Sequence, residues 1–303
     1  VLKLPRGIVV IVQLAEVAMR RTVIDTNCLG HGDLENYLGE ARDNKGLISQ
    51  VTMIEIHKDA AIDITRKLMA IACRYPRQIE ILQDESDLTC MSGGTRRLAR
   101  RLIDPVQTAQ FGAYCETVIQ APVDAEIQAQ FQALQAQSQG YIADTSRRAA
   151  NLFNLYRLAE QAFTESDLRH LRKRDSFPGD LQLKLVDFAF AVRAVLIRGG
   201  AEPASAFPTV TGEVINTVLF RYSLLVALYF ARWVKTGKTD ITNPSRLTNQ
   251  LLDFKIAAVA TFFDGLLTKE PALAELFGEA VVVAGAMGGY VRCGQSPILR
   301  AVP

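Results

Sequence analysis

Four acids stand where their spacing could bring them to one place. Asp25 follows the short apolar run Thr22-Val23-Ile24 and opens the polar turn Thr26-Asn27, and Glu55 comes three residues after Thr52 at the start of a helical pattern. Asp253 lies inside a late helical run, and Glu270 follows the apolar triplet Gly265-Leu266-Leu267 and Thr268. A run such as Val23-Ile24 reads as a buried parallel strand, and in open α/β sheets ligands sit beyond the carboxyl ends of strands. The ends of strand one, strand two and the late strand lie side by side in such a sheet, so all four acids can converge on one edge. Carboxylates gathered in this way repel one another and attract a divalent cation. Magnesium and manganese prefer carboxylate and water oxygens, and support in-line attack of water on a phosphodiester. Taken singly, each acid serves equally well as a turn or helix-capping residue.

The elements that must position these acids follow from periodicity. Leu34, Tyr37 and Leu38 have helical spacing within 30–42, Lys45-Gly46 breaks the pattern, and 47–51 forms a second strand. Thr52 and Glu55 make a capping pair for a helix whose apolar positions Ile56, Ala60, Ile64, Leu68 and Ala72 run to about Cys73. A right-handed β-α-β unit results. From Pro76 to Asp240 the strand signal almost disappears, and helices are expected at 96–103, 123–139, 146–172, 181–198 and 214–235. The end of the chain returns to alternation, with a helix at 244–263, a strand at 265–267, a helix beginning after Glu270 and a final strand at 280–284. The expected fold class is α/β. A parallel-sheet domain made of 19–75 and 241–303 is interrupted by a helical insertion at 76–240. Residues 1–18, ahead of Met19, form an N-terminal extension best explained by a mis-assigned start.

Composition bounds the function. With 303 residues, 49% of them hydrophobic and 22% charged, the chain has enough apolar mass for one large or two interlocked globular domains. A net charge of +2 excludes a strongly basic nucleic-acid coat while permitting a local basic groove. Cys28, Cys73, Cys90, Cys115 and Cys293 include no Cys-x-x-Cys pair, which points away from a zinc site or a disulfide framework and towards a reducing cytoplasm. The run 218–234 carries Arg221 and Arg232, and 7–17 falls short of the about 20 apolar residues a bilayer demands, so no membrane partner is expected.

Other candidates divide by position. Arg96, Arg97, Arg100 and Arg101 could track a nucleic-acid backbone, although a charge run is more often a solvated face. Lys255 and Lys269 lie beside the acids and are better placed for substrate phosphates. His57 falls on a different helix face from Glu55, so it reads as a solvated or partner-contacting side chain rather than a general base. Ser92-Gly93-Gly94-Thr95 lacks the spacing and lysine of a phosphate-binding loop and reads as a linker.

In order along the chain, Thr22-Val-Ile-Asp-Thr-Asn, then Ile48-Ser-x-Val-Thr-x-x-Glu55, then the stretch from Leu252-Asp253-Phe254-Lys255 to Leu267-Thr268-Lys269-Glu270 resemble the motifs of PIN-domain nucleases. The resemblance covers roughly residues 20–60 and 244–285 and is silent on the helices between. It implies a three-layer PIN-like fold, with Asp25, Glu55 and Asp253 as the principal ligands of magnesium or manganese. Glu270 stands where the family more often has aspartate. Thr26, Asn27 and Thr268 would fix the carboxylates, and Asn249, four residues from Asp253, would orient the site. The implied activity is a metal-dependent endoribonuclease of the toxin or defence type. RNA or single-stranded DNA would be the substrate, with an antitoxin or regulatory protein as partner. A PIN-like binding module without catalysis and a metal-dependent phosphatase are the alternatives.

Overall fold

The computed structural model describes residues 19–292 except 60–61, 92–94, 121–123, 174–178, 201 and 238–242. The expected extension at 1–18 and the Ser92-Gly93-Gly94 linker lie outside these residues.

The sheet begins as the apolar runs require. Strand β1 (Arg21–Ile24) leads through two short helices, α1 (Thr26–Leu29) and α2 (Gly32–Glu40), into β2 (Lys45–Ile48). Ser49, not Thr52, caps the next helix, α3 (Gln50–His57): its hydroxyl accepts from the Thr52 N–H at 3.1 Å. Thr52 instead reaches back to donate to the Ile24 carbonyl at 3.2 Å, tying α3 to the end of β1. The single helix expected from Thr52 to Cys73 is therefore two, α3 and α4 (Ile62–Arg74).

Beyond Pro76 the structure departs from the sequence reading. Strand β3 (Ile79–Leu82) and the short β4 (Ile103–Asp104), with α5 (Glu85–Cys90) and α6 (Thr95–Arg101) between them, extend the sheet into the stretch assigned to the insertion. The strand order is β4-β3-β2-β1-β5, with β5 (Gly265–Leu267) on the far side of β1; all pairs are parallel except β3 with β4. Gly46 keeps the middle of this sheet closed: a Cβ there would lie 2.5 Å from Ile24 Cδ1 and 3.1 Å from Ile79 Cδ1.

The rest is helical: α7 (Pro105–Gln120), α8 (Ala125–Ala162), α9 (Glu165–Arg172), α10 (Gly179–Gly199), the single turn α11 (Thr211–Val214), α12 (Val218–Lys235), α13 (Pro244–Ala260) and α14 (Pro271–Ala286). The two helices expected at 123–139 and 146–172 are thus redistributed into α8, 38 residues long, and a separate α9. The final strand expected at 280–284 is the C-terminal part of α14, where Ala280 and Ala284 pack into the core one turn apart. Burial at i, i+4 overrides the β-propensity of Val281-Val282-Val283.

Alternation along the strands makes two cores. Val23, Leu47, Leu82 and Leu266 face the layer built around α12, α13 and α8. Ile24, Ile48, Ile81 and Leu267 face the other, with α2, α4 and α7. Helices on both faces give the three layers of an α/β fold. Two cysteines expected to be free are joined in the second core: Cys73 on α4 and Cys115 on α7 form a disulfide across 42 residues of sequence. Packing of α7 on α4, which spacing does not reveal, brings them together. Among the described residues no helix is long and apolar enough to cross a membrane.

Candidate functional site

The carboxyl ends of β1, β2 and β5 lie adjacent, and the structure brings all four acids there. Asp25 directly follows β1, and its N–H donates to the Leu267 carbonyl at 3.0 Å, which locks the end of β1 to the end of β5. The residue is almost fully buried, 3% exposed. The Thr268 hydroxyl at 2.6 Å and the Asn27 amide at 2.7 Å both donate to its Oδ2. Glu55 projects from α3, which Thr52 holds against β1, and its Oε2 accepts from the Thr26 hydroxyl. Asp253 comes from α13, which packs against β1, β5 and α3. Glu270 begins the turn into α14, and its N–H donates to Thr268 Oγ at 3.1 Å. Thr26, Asn27 and Thr268 thus all donate side-chain hydrogen bonds to two of the acids, Glu55 and Asp25. Asn249 sits on α13 one turn before Asp253, exposed to solvent.

Electrostatics shows that the four acids act on each other. Burial pushes the Asp253 carboxyl up to about 8, and Glu270, Asp25 and Glu55 add to the rise in that order. Burial also raises Glu55, against the pull of the Thr26 hydroxyl and Lys58, with Asp25 and Glu270 adding to it. Asp25 is raised by desolvation, opposed first by the Thr268 hydroxyl. Glu270 is exposed as a residue, yet partial desolvation of its carboxylate and then Asp25 raise it too. Buried carboxylates are normally paired with cations; these four repel one another.

Their chemistry is that of a hard-cation site, with oxygen donors only and excess negative charge. Their placement is looser than a finished site. Among the described residues no three His, Cys, Asp or Glu side chains are disposed to hold one ion. Donor type and repulsion fit magnesium or manganese, and a cation would have to draw these side chains together.

The expected cations separate. Lys269 stays at the site: it is exposed, and its N–H donates to Asn27 Oδ1 at 3.0 Å. Lys255 does not face the acids. Two residues from Asp253, it points to another side of α13, where its Nζ lies 2.8 Å from Glu85 Oε1 and 2.7 Å from the Tyr141 hydroxyl. That ion pair leaves it no role as a free substrate contact. Arg100 and Arg101 are exposed on α6, which meets β4 at the other end of the strand order, and the side chains of Arg96 and Arg97 lie outside the described ones. His57 is buried rather than solvated: its Nε2 is 3.0 Å from the Tyr114 hydroxyl, and burial holds its pKa down at about 4.

The sequence reading missed Lys58. It lies three residues after Glu55, hence on the same side of the α3 end, and its charge offsets the rise at both Glu55 and Asp253. The i, i+3 spacing from a candidate ligand was the available signal. Asp264, by contrast, sits at the amino end of β5, accepting from the Arg21 N–H and from Arg292. A cavity of about 240 Å3 opens near that end, along α2 and β5, and none of the four acids lines it.

No family model matches the chain, and no curated protein or solved structure is significantly similar to it.

Proposed function

We propose that this protein is a metal-dependent nuclease of PIN-like design that hydrolyses phosphodiester bonds in RNA. The observation that carries the reading is the meeting of Asp25, Glu55, Asp253 and Glu270 at one sheet edge, with Asp253 driven up to about 8 by burial and by the other three. Buried carboxylates that repel one another and have no bonded cationic side chain are disposed to take a cation. Asp25 and Asp253, with Glu55 and Glu270, would hold magnesium or manganese. When bound, the ion supplies an acidified water and charge stabilisation for in-line displacement at phosphorus.

The chain's own groups do the positioning. Thr268 and Asn27 fix the orientation of the Asp25 carboxylate, and Thr26 fixes Glu55. The N–H of Glu270 on Thr268 ties the fourth acid to the same hydroxyl. Such outer partners hold ligands in a productive geometry. In a toxin or defence setting an antitoxin or regulator would cover the exposed rim at Glu270.

The test is cleavage of RNA by the whole protein with manganese or magnesium, with a chelator control and the substitutions Asp25→Asn and Asp253→Asn. Loss of activity in both variants supports the reading; activity that survives both removes it. Parallel assays on single-stranded DNA and on a small phosphoester separate the RNase from a DNase and from a phosphatase. A folded protein that binds no manganese and cleaves none of these is the non-catalytic module.

A further inference from the structure

We infer that Lys58 and Lys269 form the two sides of a track that carries the phosphate backbone of single-stranded RNA across the carboxyl edge of the sheet, over the four acids. The inference rests on the nuclease reading and adds the direction in which its substrate lies.

The placement follows from topology. Lys58 ends α3, the helix after β2, and Lys269 follows β5. Lys58 stands one turn beyond Glu55 on the side of β2, and Lys269 precedes Glu270 on the side of β5, so the two lysines lie next to acids that come from opposite sides of β1.

Both lysines are anchored through the main chain and uncommitted at the side chain. The Lys269 N–H is held by Asn27 at 3.0 Å, and the Lys58 carbonyl accepts from Gln139 of α8 at 3.3 Å. Among the described residues neither ammonium has an ion-pair partner, although acids lie close to both. Glu55 spends an oxygen on Thr26, and Glu270 is tied through its backbone to Thr268. Lys255 shows the contrasting arrangement, closed on Glu85 and Tyr141. A cation held by its backbone beside a negative centre, with its charge left free, suits a ligand that brings its own negative charge. A nucleic-acid backbone is such a ligand, and it must be drawn to a site whose carboxylates would otherwise repel it.

One strand is favoured over two because α8 stands beside the Lys58 end of the track. Gln139 reaches the Lys58 carbonyl, and the Phe131 ring lies 5.3 Å from that of His57. A second strand on that side meets the helix.

The test uses binding, so that it is separate from cleavage. A labelled single-stranded RNA oligomer is titrated with the full chain in chelator, by fluorescence anisotropy, over a series of salt concentrations. Wild type is compared with Lys58→Gln, Lys269→Gln, the double variant and Arg147→Gln, which alters an exposed arginine on α8. Each single lysine change should reduce the slope of log K against log salt by about 0.7, and the double by about 1.4, with Arg147→Gln unchanged. Unchanged slopes in the lysine variants, or a change at one lysine alone, overturn the track. So does equal binding of a duplex, or no binding by wild type. Metal-dependent cleavage that persists with unaltered KM in the double variant overturns the track and leaves the nuclease reading standing. Binding that depends on both lysines without any cleavage does the reverse.

Discussion

At the sheet edge, Asp25, Glu55, Asp253 and Glu270 have no cationic side chain bonded to them among the described residues, whereas in the helical layer Glu85 and Asp167 each hold a lysine. Lys255 closes on Glu85 at 2.8 Å and Lys184 on Asp167 at 2.6 Å. The consequence is opposite in sign. The hydrogen bond from Lys184, assisted by Thr164, lowers Asp167 to about 2, while burial and its neighbours raise Asp253 to about 8. Acids that serve the fold come with their partners; the sheet-edge acids have no bonded cationic side chain, and on the proposed reading an external cation would take that place.

The comparison breaks most visibly through activity. Asp25→Asn or Asp253→Asn should lower metal-dependent RNA cleavage by about a hundredfold or more, mainly in kcat, beyond the about 10–100-fold that loss of an outer partner costs. Thr268→Val, which removes the hydroxyl shared by Asp25, Asn27 and Glu270, should fall within that smaller range, read from initial rates. In the helical layer the sign of the evidence changes from activity to stability. Thr164→Ala removes the cap of α9 and should cost about 1 kcal/mol in urea unfolding, with cleavage unaltered.

How much of this was legible depended on whether local pattern or distant packing decided the element. Val23-Ile24 before Asp25 and Gly265-Leu266-Leu267 before Thr268 announce strands ending in polar turns, so the two strand-end acids and their hydroxyl and amide partners were readable. The arrangement at Glu55 was readable in outcome but not in cause: Ser49 caps the helix, and Thr52 bonds across to β1. Strand β3 was missed because Ile79-Glu80-Ile81-Leu82 is four residues after a proline turn, too short for periodicity to separate from its helical surroundings. The continuity of α8 through Gly140 was hidden because one glycine costs only about 1 kcal/mol in a helix, which packing against α3 and α13 outweighs. Lys255 was misplaced because nearness in sequence to Asp253 says nothing about which side of α13 faces Glu85.

The smallest effect is the dependence of stability on pH, and its sign separates the two regions. Asp253 has a folded pKa raised from the usual 3.8 to about 8. Its stabilising contribution is thus complete below the unfolded value and disappears as pH rises through about 8. In chelator, Tm should fall between pH 5 and pH 9, and Asp253→Asn should remove part of that fall, by at most about 2–4 °C for each kcal/mol of the Asp253 contribution. Asp167, lowered to about 2, contributes above its unfolded value, and that contribution disappears as pH falls through 2. Asp167→Asn should therefore alter the acid limb alone. Saturating manganese should also raise the Tm of the wild type at pH 8, and do so less for Asp253→Asn.

The most direct measurement is isothermal titration of manganese into the whole metal-free protein and into Asp25→Asn and Asp253→Asn, each checked for folding by circular dichroism. The four-acid centre predicts saturable binding by the wild type that is abolished or weakened at least about tenfold in both variants. Folded wild-type protein that binds no manganese, or variants that bind it as well as wild type, would contradict it.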